Sequence, residues 1–192
     1  MECSFDFFVQ PRRRWFWKNH PTIFVASRDR ESSLAMSLES LHKNPCVKVI
    51  WMLRHPLDVL TSVHGNEPEK FYVEPQRLIR SLELYKKFRD EPQVLTVRYE
   101  ELVSNPQTVQ KKIADAFGLE PVRSFDESYK YFSKFKEDVN ALRSIRPIDP
   151  NSLNKWKSNP AYRDYLKKTL ADFPAIVGMA HDYGYEIDPA TL

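Results

Sequence analysis

The sequence predicts an α/β protein with a parallel sheet flanked by helices. Three observations predict it: short runs rich in Val and Ile recur along the chain, stretches of helical periodicity separate them, and 192 residues suffice for one domain with a buried core.

The elements follow in order. Thr22 to Ala26 is a β-rich run, and Ser32 to Leu41 places Leu34, Leu38 and Leu41 on one helical face. Val47 to Leu53 is an apolar strand, after which Pro56 suits the first position of a helix running to about His64, because its ring fixes φ and its missing N–H was unpaired there anyway. Glu67-Pro68-Glu69 breaks that helix. Pro75 to Arg89 is the next, with Leu78, Leu82, Tyr85 and Phe88 as a core-facing stripe. Val94 to Val97 is a further strand. Asn105 caps a helix that starts at Pro106, buries Val109, Ile113 and Phe117, and ends at Gly118. The stretch after Phe125 is mostly helical. No repeat, low-complexity tract or linker divides the chain.

Composition narrows the function classes. With 42% hydrophobic and 13% aromatic residues the chain is not globally disordered. A net charge of +3 favours the arrival of an anionic ligand but is too mild for the footprint of a nucleic-acid binder. Cys3 and Cys46 match neither a disulfide framework nor a metal site, and Cys46 is expected to be a small buried residue. No apolar run approaches the ~18 residues of a membrane span, and there is no long apolar signal region, so a cytoplasmic location is expected.

The chemistry concentrates where two strands give way to helices. After the run ending at Leu53 comes Arg54-His55-Pro56-Leu57-Asp58-Val59-Leu60-Thr61-Ser62, which places an arginine at a strand's carboxyl end before a helix. Unpaired amides are expected around Arg54, and Asp58 and Ser62 share a helix face, so charge, backbone donors and a hydroxyl can converge on one anion. Alternatively, Arg54 pairs with Asp58 and Ser62 faces solvent. The second junction runs from Val97 into Arg98-Tyr99-Glu100-Glu101-Leu102-Val103-Ser104-Asn105-Pro106. In open α/β sheets ligands bind at the carboxyl edge, where an aromatic ring such as Tyr99 can cover a flat heterocycle. A Tyr99 that merely packs on the sheet edge is the plainer reading.

Together these segments resemble the sulfotransferase family, which moves a sulfuryl group from 3′-phosphoadenosine 5′-phosphosulfate (PAPS) to a hydroxyl or amine. The family's 3′-phosphate loop has an arginine, a proline two on and a serine eight on, matched by Arg54, Pro56 and Ser62. Its tyrosine, acidic pair, leucine and later proline are matched by Tyr99, Glu100, Glu101, Leu102 and Pro106, with the tyrosine beside the adenine. Ile145 to Trp156 is similar to the loop that closes over the nucleotide in tyrosylprotein-type and bacterial sulfotransferases, where residues matching Arg146 and Lys155 reach toward the cofactor. Trp156 is expected to anchor that loop. Arg28 resembles a position where tyrosylprotein-type relatives carry a lysine near the sulfuryl group, although it could instead pair with Asp29 or Glu31. Met179 to Tyr185 resembles the family's terminal helix and Gly-Tyr stop.

The resemblance implies the P-loop nucleotide-binding architecture of the sulfotransferases, here lacking its first strand and loop. It implies PAPS as donor, no metal, and an acceptor that is a protein tyrosine, a carbohydrate or a small molecule. A single domain over residues 1–192 is expected: an atypical segment 1–21, an α/β core 22–124, and a mostly helical lobe 125–192 carrying the nucleotide-covering loop. The family's 5′-phosphosulfate loop is not found, since the first of the four glycines is Gly65. Either the true start lies upstream, the reading that agreement among the other motifs favours, or the chain is a divergent homologue that holds the nucleotide less completely. No catalytic base is assigned: His20, His42, His64 and His181 match no catalytic motif, and His55 is expected to be structural. The competing class is a non-catalytic PAP/PAPS-binding or scaffold protein. A kinase-type phosphotransferase is disfavoured by the absence of a Walker lysine with its glycines. The basic and aromatic run Arg12 to Lys18 is too short to carry a function alone.

Overall fold

Strand β3 (Lys48–Leu53) is the middle of a three-stranded parallel sheet in the order β2–β3–β4, with β2 spanning Ile23–Ala26 and β4 spanning Val94–Arg98. The structure, a computed structural model, describes residues 17–18, 23–26, 38–43, 45, 47–63, 70–121, 123–127, 130 and 148–192. Successive side chains of a strand point to opposite faces, and β3 feeds two cores accordingly. Val49, Trp51 and Leu53 join the larger cluster, while Ile50 and Met52 join a smaller one with Val97, Val109, Ile113 and Leu119. Apolar residues on both faces are what a sheet covered on two sides requires.

The larger face is covered by α3 (Pro75–Phe88) and by α6 (Pro160–Asp172) and α7 (Ala175–Asp182) from the C-terminal part. Helix α3 has the extent expected from its periodicity, and Leu78, Leu82, Tyr85 and Phe88 are its buried stripe. Trp51 stacks on Phe88 with centroids 6.4 Å apart and tilts against Tyr85 at 5.5 Å, which joins sheet to helix through aromatic area. Tyr85 donates or accepts a hydrogen bond at Thr96 of β4, at 2.9 Å. Helix α6 starts at Pro160 after Asn159, whose side chain accepts from the Ala161 N–H. It buries Leu166, Thr169 and Leu170, and α7 buries Ile176 and Ala180.

The smaller face is covered by α5 (Pro106–Phe117), preceded by the short α4 (Tyr99–Ser104). Asn105 is the N-cap residue of α5, although its side chain makes no capping bond, and Gly118 ends the helix in the left-handed conformation at φ 64°. Buried Gln110 is satisfied at both ends of its amide: it accepts from Phe125 N–H and donates to the Arg123 carbonyl. Of the N-terminal segment, β1 (Trp17–Lys18) pairs antiparallel with β5 (Glu120–Pro121). A short helix α1 (Leu38–His42) precedes β3; the rest of the helix expected from Ser32 lies outside the described residues.

One element is shorter than its sequence predicts. Helix α2 (Pro56–Leu60) stops at Leu60 instead of near His64. Thr61 and Ser62 turn their hydroxyls back onto the carbonyls of Leu57 and Asp58, at 2.7 and 2.8 Å, and such bonds compete with helix propagation. The Ser62 carbonyl then accepts from Tyr72 N–H and Val63 bridges Phe71, so the chain leaves α2 as an extended segment.

Leu166 is fully buried between the C-terminal helices and the sheet-side core. Leu166→Ala is expected to lower unfolding free energy by about 2–5 kcal/mol, read from the midpoint of urea denaturation.

Candidate functional site

β3 and β4 end side by side, with Leu53 in register with Arg98, so the residues that follow each strand emerge at one edge. Arg54 follows β3, and Tyr99 opens α4 directly after β4. The guanidinium carbon of Arg54 lies over the Tyr99 ring, 4.5 Å from its centroid. That distance is within the range of a cation–π contact. Both residues are half-buried.

The loop between Arg54 and α2 does not carry the unpaired amides its sequence suggests. His55 N–H donates to Glu100 Oε1 at 2.7 Å, and Leu57 N–H donates to the His55 imidazole Nδ1 at 3.2 Å. His55 is thus the N-cap residue of α2, and Val59 N–H already bonds the His55 carbonyl. The reason is local: an imidazole at the cap position reaches the orphan donor that Ser, Thr or Asp would otherwise take. Ser62 lies past the end of α2, with its proton given to the Asp58 carbonyl, so its oxygen can accept but must rotate to donate to an anion.

Asp58 is buried and its carboxylate faces the C-terminal part of the chain. Its Oδ2 accepts from Asn154 N–H at 3.1 Å, and its Oδ1 has no donor among the described residues. Asn154 sits in the left-handed region at φ 56°, which asparagine tolerates better than most residues, and so begins the single turn Lys155–Lys157. Trp156 of that turn stacks on His55, centroids 6.0 Å apart, and Lys157 Nζ lies 5.3 Å from the indole centroid. That turn is therefore docked on the Arg54 loop through Asp58 and His55. Lys155 is on that turn with an exposed side chain. Arg28 and Arg146 lie outside the described residues, as do His20, His64, Cys3 and Cys46.

A second group of contacts ties the C-terminal end to the same loop. Glu100 accepts twice: from His55 N–H through Oε1 and from the Tyr185 hydroxyl through Oε2 at 3.0 Å. Burial and the adjacent Glu100 carboxylate push the Tyr185 hydroxyl far above its ordinary pKa, so it stays a donor. Arg98 donates to the Tyr183 carbonyl at 2.7 Å and lies over the Tyr185 ring at 4.6 Å. The Tyr185 ring meets His55 edge-on at 5.2 Å. Gly184 makes the turn at φ 70°, and a Cβ there would come within 2.8 Å of Arg98 Nη2. Sequence reasoning gave Glu100 only a place in a motif and Tyr185 only a place in an ending. Gly184 between two tyrosines was the available signal of a tight turn.

Of the other histidines, His42 is hydrogen-bonded to Glu91 at 2.6 Å and His181 lies in the last turn of α7. An open depression of about 370 Å³ lined by Gln107, Gln110, Pro121, Arg123 and Ser124 belongs to α5 and its exit, on a different part of the chain from the Arg54–Tyr99 edge. Among the described residues, no group of three His, Cys, Asp or Glu could hold a metal ion, and no helix is long and apolar enough to cross a membrane.

Residues 9–127, more than half of the chain, match the sulfotransferase family. The chain belongs to that family, and its parallel sheet with helices on both faces is in keeping with it. No curated protein matches the chain. The matched span contains both strand-end junctions, with Arg54, Ser62 and Tyr99.

Burial lowers the pKa of His55 below its ordinary value, against the opposing pull of Asp58 and Glu100. Protonation at Nδ1 would also turn the acceptor of Leu57 N–H into a donor. A depressed folded pKa means that the unfolded chain takes up the proton first on acidification, so this contribution is present above about pH 6.5 and is lost as pH falls through the folded value. Denaturation midpoints measured from pH 7.5 down to 5 are expected to fall more steeply for the wild type than for His55→Asn, whose side-chain oxygen can still cap Leu57 without titrating.

Proposed function

We propose that this chain is a PAPS-dependent sulfotransferase whose donor site is the edge where β3 and β4 end. The observation that carries the reading is the stacking of Arg54 on Tyr99 at 4.5 Å, which sets a phosphate-binding cation beside an aromatic face of the kind that covers adenine. Arg54 and Ser62 would hold the 3′-phosphate, Ser62 by rotating its hydroxyl from Asp58. Tyr99 would lie against the base. Lys155 would reach the nucleotide from the covering turn, with Arg146 from the same loop and Arg28 nearer the sulfuryl group.

The residues suit such a ligand on a further count. Trp156 Nε1 is a buried donor with no acceptor among the described residues, beside the loop that would take the phosphate, and an anionic oxygen would satisfy it. PAPS supplies an activated sulfuryl group and a stable phosphate leaving group. The protein's own residues bind the 3′-phosphate, orient the base and place positive charge near the leaving phosphate. The acceptor would be a hydroxyl or amine of a protein tyrosine, a carbohydrate or a small molecule. Residues 1–192 act as one domain in this reading, with the C-terminal lobe closing the donor site.

Calorimetric titration with PAP, the desulfated product, tests the proposal. Saturable binding is expected, and Arg54→Ala is expected to weaken it by more than about 1 kcal/mol, roughly fivefold. Equal affinity in a folded Arg54→Ala variant would overturn the assignment. Binding of PAP with no sulfuryl transfer from PAPS to any acceptor of the three classes would favour the non-catalytic nucleotide-binding alternative.

A further inference from the structure

We infer that Glu100 and Tyr185 are positioning residues of the anion site, through which the C-terminal turn of the chain sets the geometry of the Arg54 loop. This inference rests on the donor-site reading above.

One residue serves both halves of that site. The backbone of Glu100 directly follows Tyr99, the aromatic half, and its side chain grips the peptide that directly follows Arg54, the cationic half, at 2.7 Å. The peptide between Arg54 and His55 is planar, so fixing the His55 N–H fixes the ψ angle of Arg54 and the direction in which its side chain departs. Arg54 is thereby kept in register with the Tyr99 ring. The other carboxylate oxygen takes the Tyr185 hydroxyl at 3.0 Å, which stops the carboxylate from swinging away. Tyr185 is itself held, since Arg98 lies over its ring and binds the Tyr183 carbonyl just before the turn. Tyr185 is buried and shares its polar atom with Glu100, so its loss frees that carboxylate oxygen and leaves the His55 bond with one fewer constraint.

The test separates positioning from general stability. Tyr183 supplies the control, because its hydroxyl donates to the Leu82 carbonyl at 2.9 Å in the core and does not touch Glu100. Hydrogen exchange of the His55 amide, followed by NMR, and PAP affinity are measured in wild type, Tyr185→Phe and Tyr183→Phe, with Arg54→Ala as reference. Tyr185→Phe is expected to speed His55 amide exchange by about tenfold and to weaken PAP binding by roughly three- to tenfold, while Tyr183→Phe leaves both within about twofold even if it melts earlier. Glu100→Gln and Glu100→Ala carry the same charge, and the glutamine variant, which keeps an acceptor for His55 N–H, is expected to bind PAP more tightly than the alanine variant, whereas equal affinities overturn the inference. Unchanged His55 exchange in Tyr185→Phe overturns the inference. So does wild-type PAP affinity in Tyr185→Phe when Arg54→Ala is impaired, an outcome that leaves the donor-site reading standing. If the wild type does not bind PAP, the donor-site reading fails, and with it the anion-positioning role.

Discussion

The parallel pairing of β3 with β4 in one register is the constraint on which the rest of the structure depends. With Leu53 opposite Arg98, the two strands end together and the next residues, Arg54 and Tyr99, meet across the edge. A slip of one residue would reverse the faces of β4 and expose Val97, which is fully buried in the smaller core. The register is held at the opposite end as well. Gln93 donates to the Val47 carbonyl, and its own carbonyl accepts from Val49 N–H, both at 2.8 Å. Val49, Trp51 and Leu53 fill the core on one face and Ile50 the core on the other.

Two carboxylates, Glu100 and Asp58, hold the chain around the Arg54 loop, and their charge would ordinarily oppose the anion proposed to bind there. Here each is committed to backbone donors: Glu100 to His55 N–H, and Asp58 to Asn154 N–H. A carboxylate that accepts such bonds organises the loop while part of its field is offset by the peptide dipoles it faces. The arrangement exchanges some Coulombic attraction for geometric order. In the proposed donor site such order would matter, because bidentate contact with a phosphate requires the guanidinium plane to be aimed.

Elements with strong periodicity or turn chemistry were legible in the sequence. Helix α3 has its expected stripe, α5 has Pro106 at its start and Gly118 at its end, and β3 lies where the apolar run places it. The end of α2 was not legible, because it turns on whether two hydroxyls bond backwards, which depends on the tertiary partner of Ser62 at Tyr72. The junction residues could be found from local pattern, since strand, arginine and proline are contiguous. The contact between Glu100 and Tyr185 could not, because a hydrogen bond spanning 85 positions leaves no periodic trace in the sequence. His55 is intermediate: its place beside Arg54 is plain, but only packing reveals Trp156 on one side of its ring and Tyr185 at the other.

His55 is the point at which the Lys155–Lys157 turn and the C-terminal turn reach the same loop. From the Lys155–Lys157 side come a backbone bond to the Asp58 carboxylate and the ring stack of Trp156, which also packs against the larger core. Those are worth about 1.5–3 and about 0.5–1.5 kcal/mol respectively. The packing of Trp156 on the larger core adds to both, so the turn is held to the Arg54 loop and to the core at once. From the C-terminal side, Tyr185 adds its hydrogen bond to Glu100, its edge contact with His55 and the Arg98 clasp, all on a buried ring. The loop that carries Arg54 is therefore supported from two sides, by Trp156 stacked on one part of the His55 ring and by the buried Tyr185 meeting its edge.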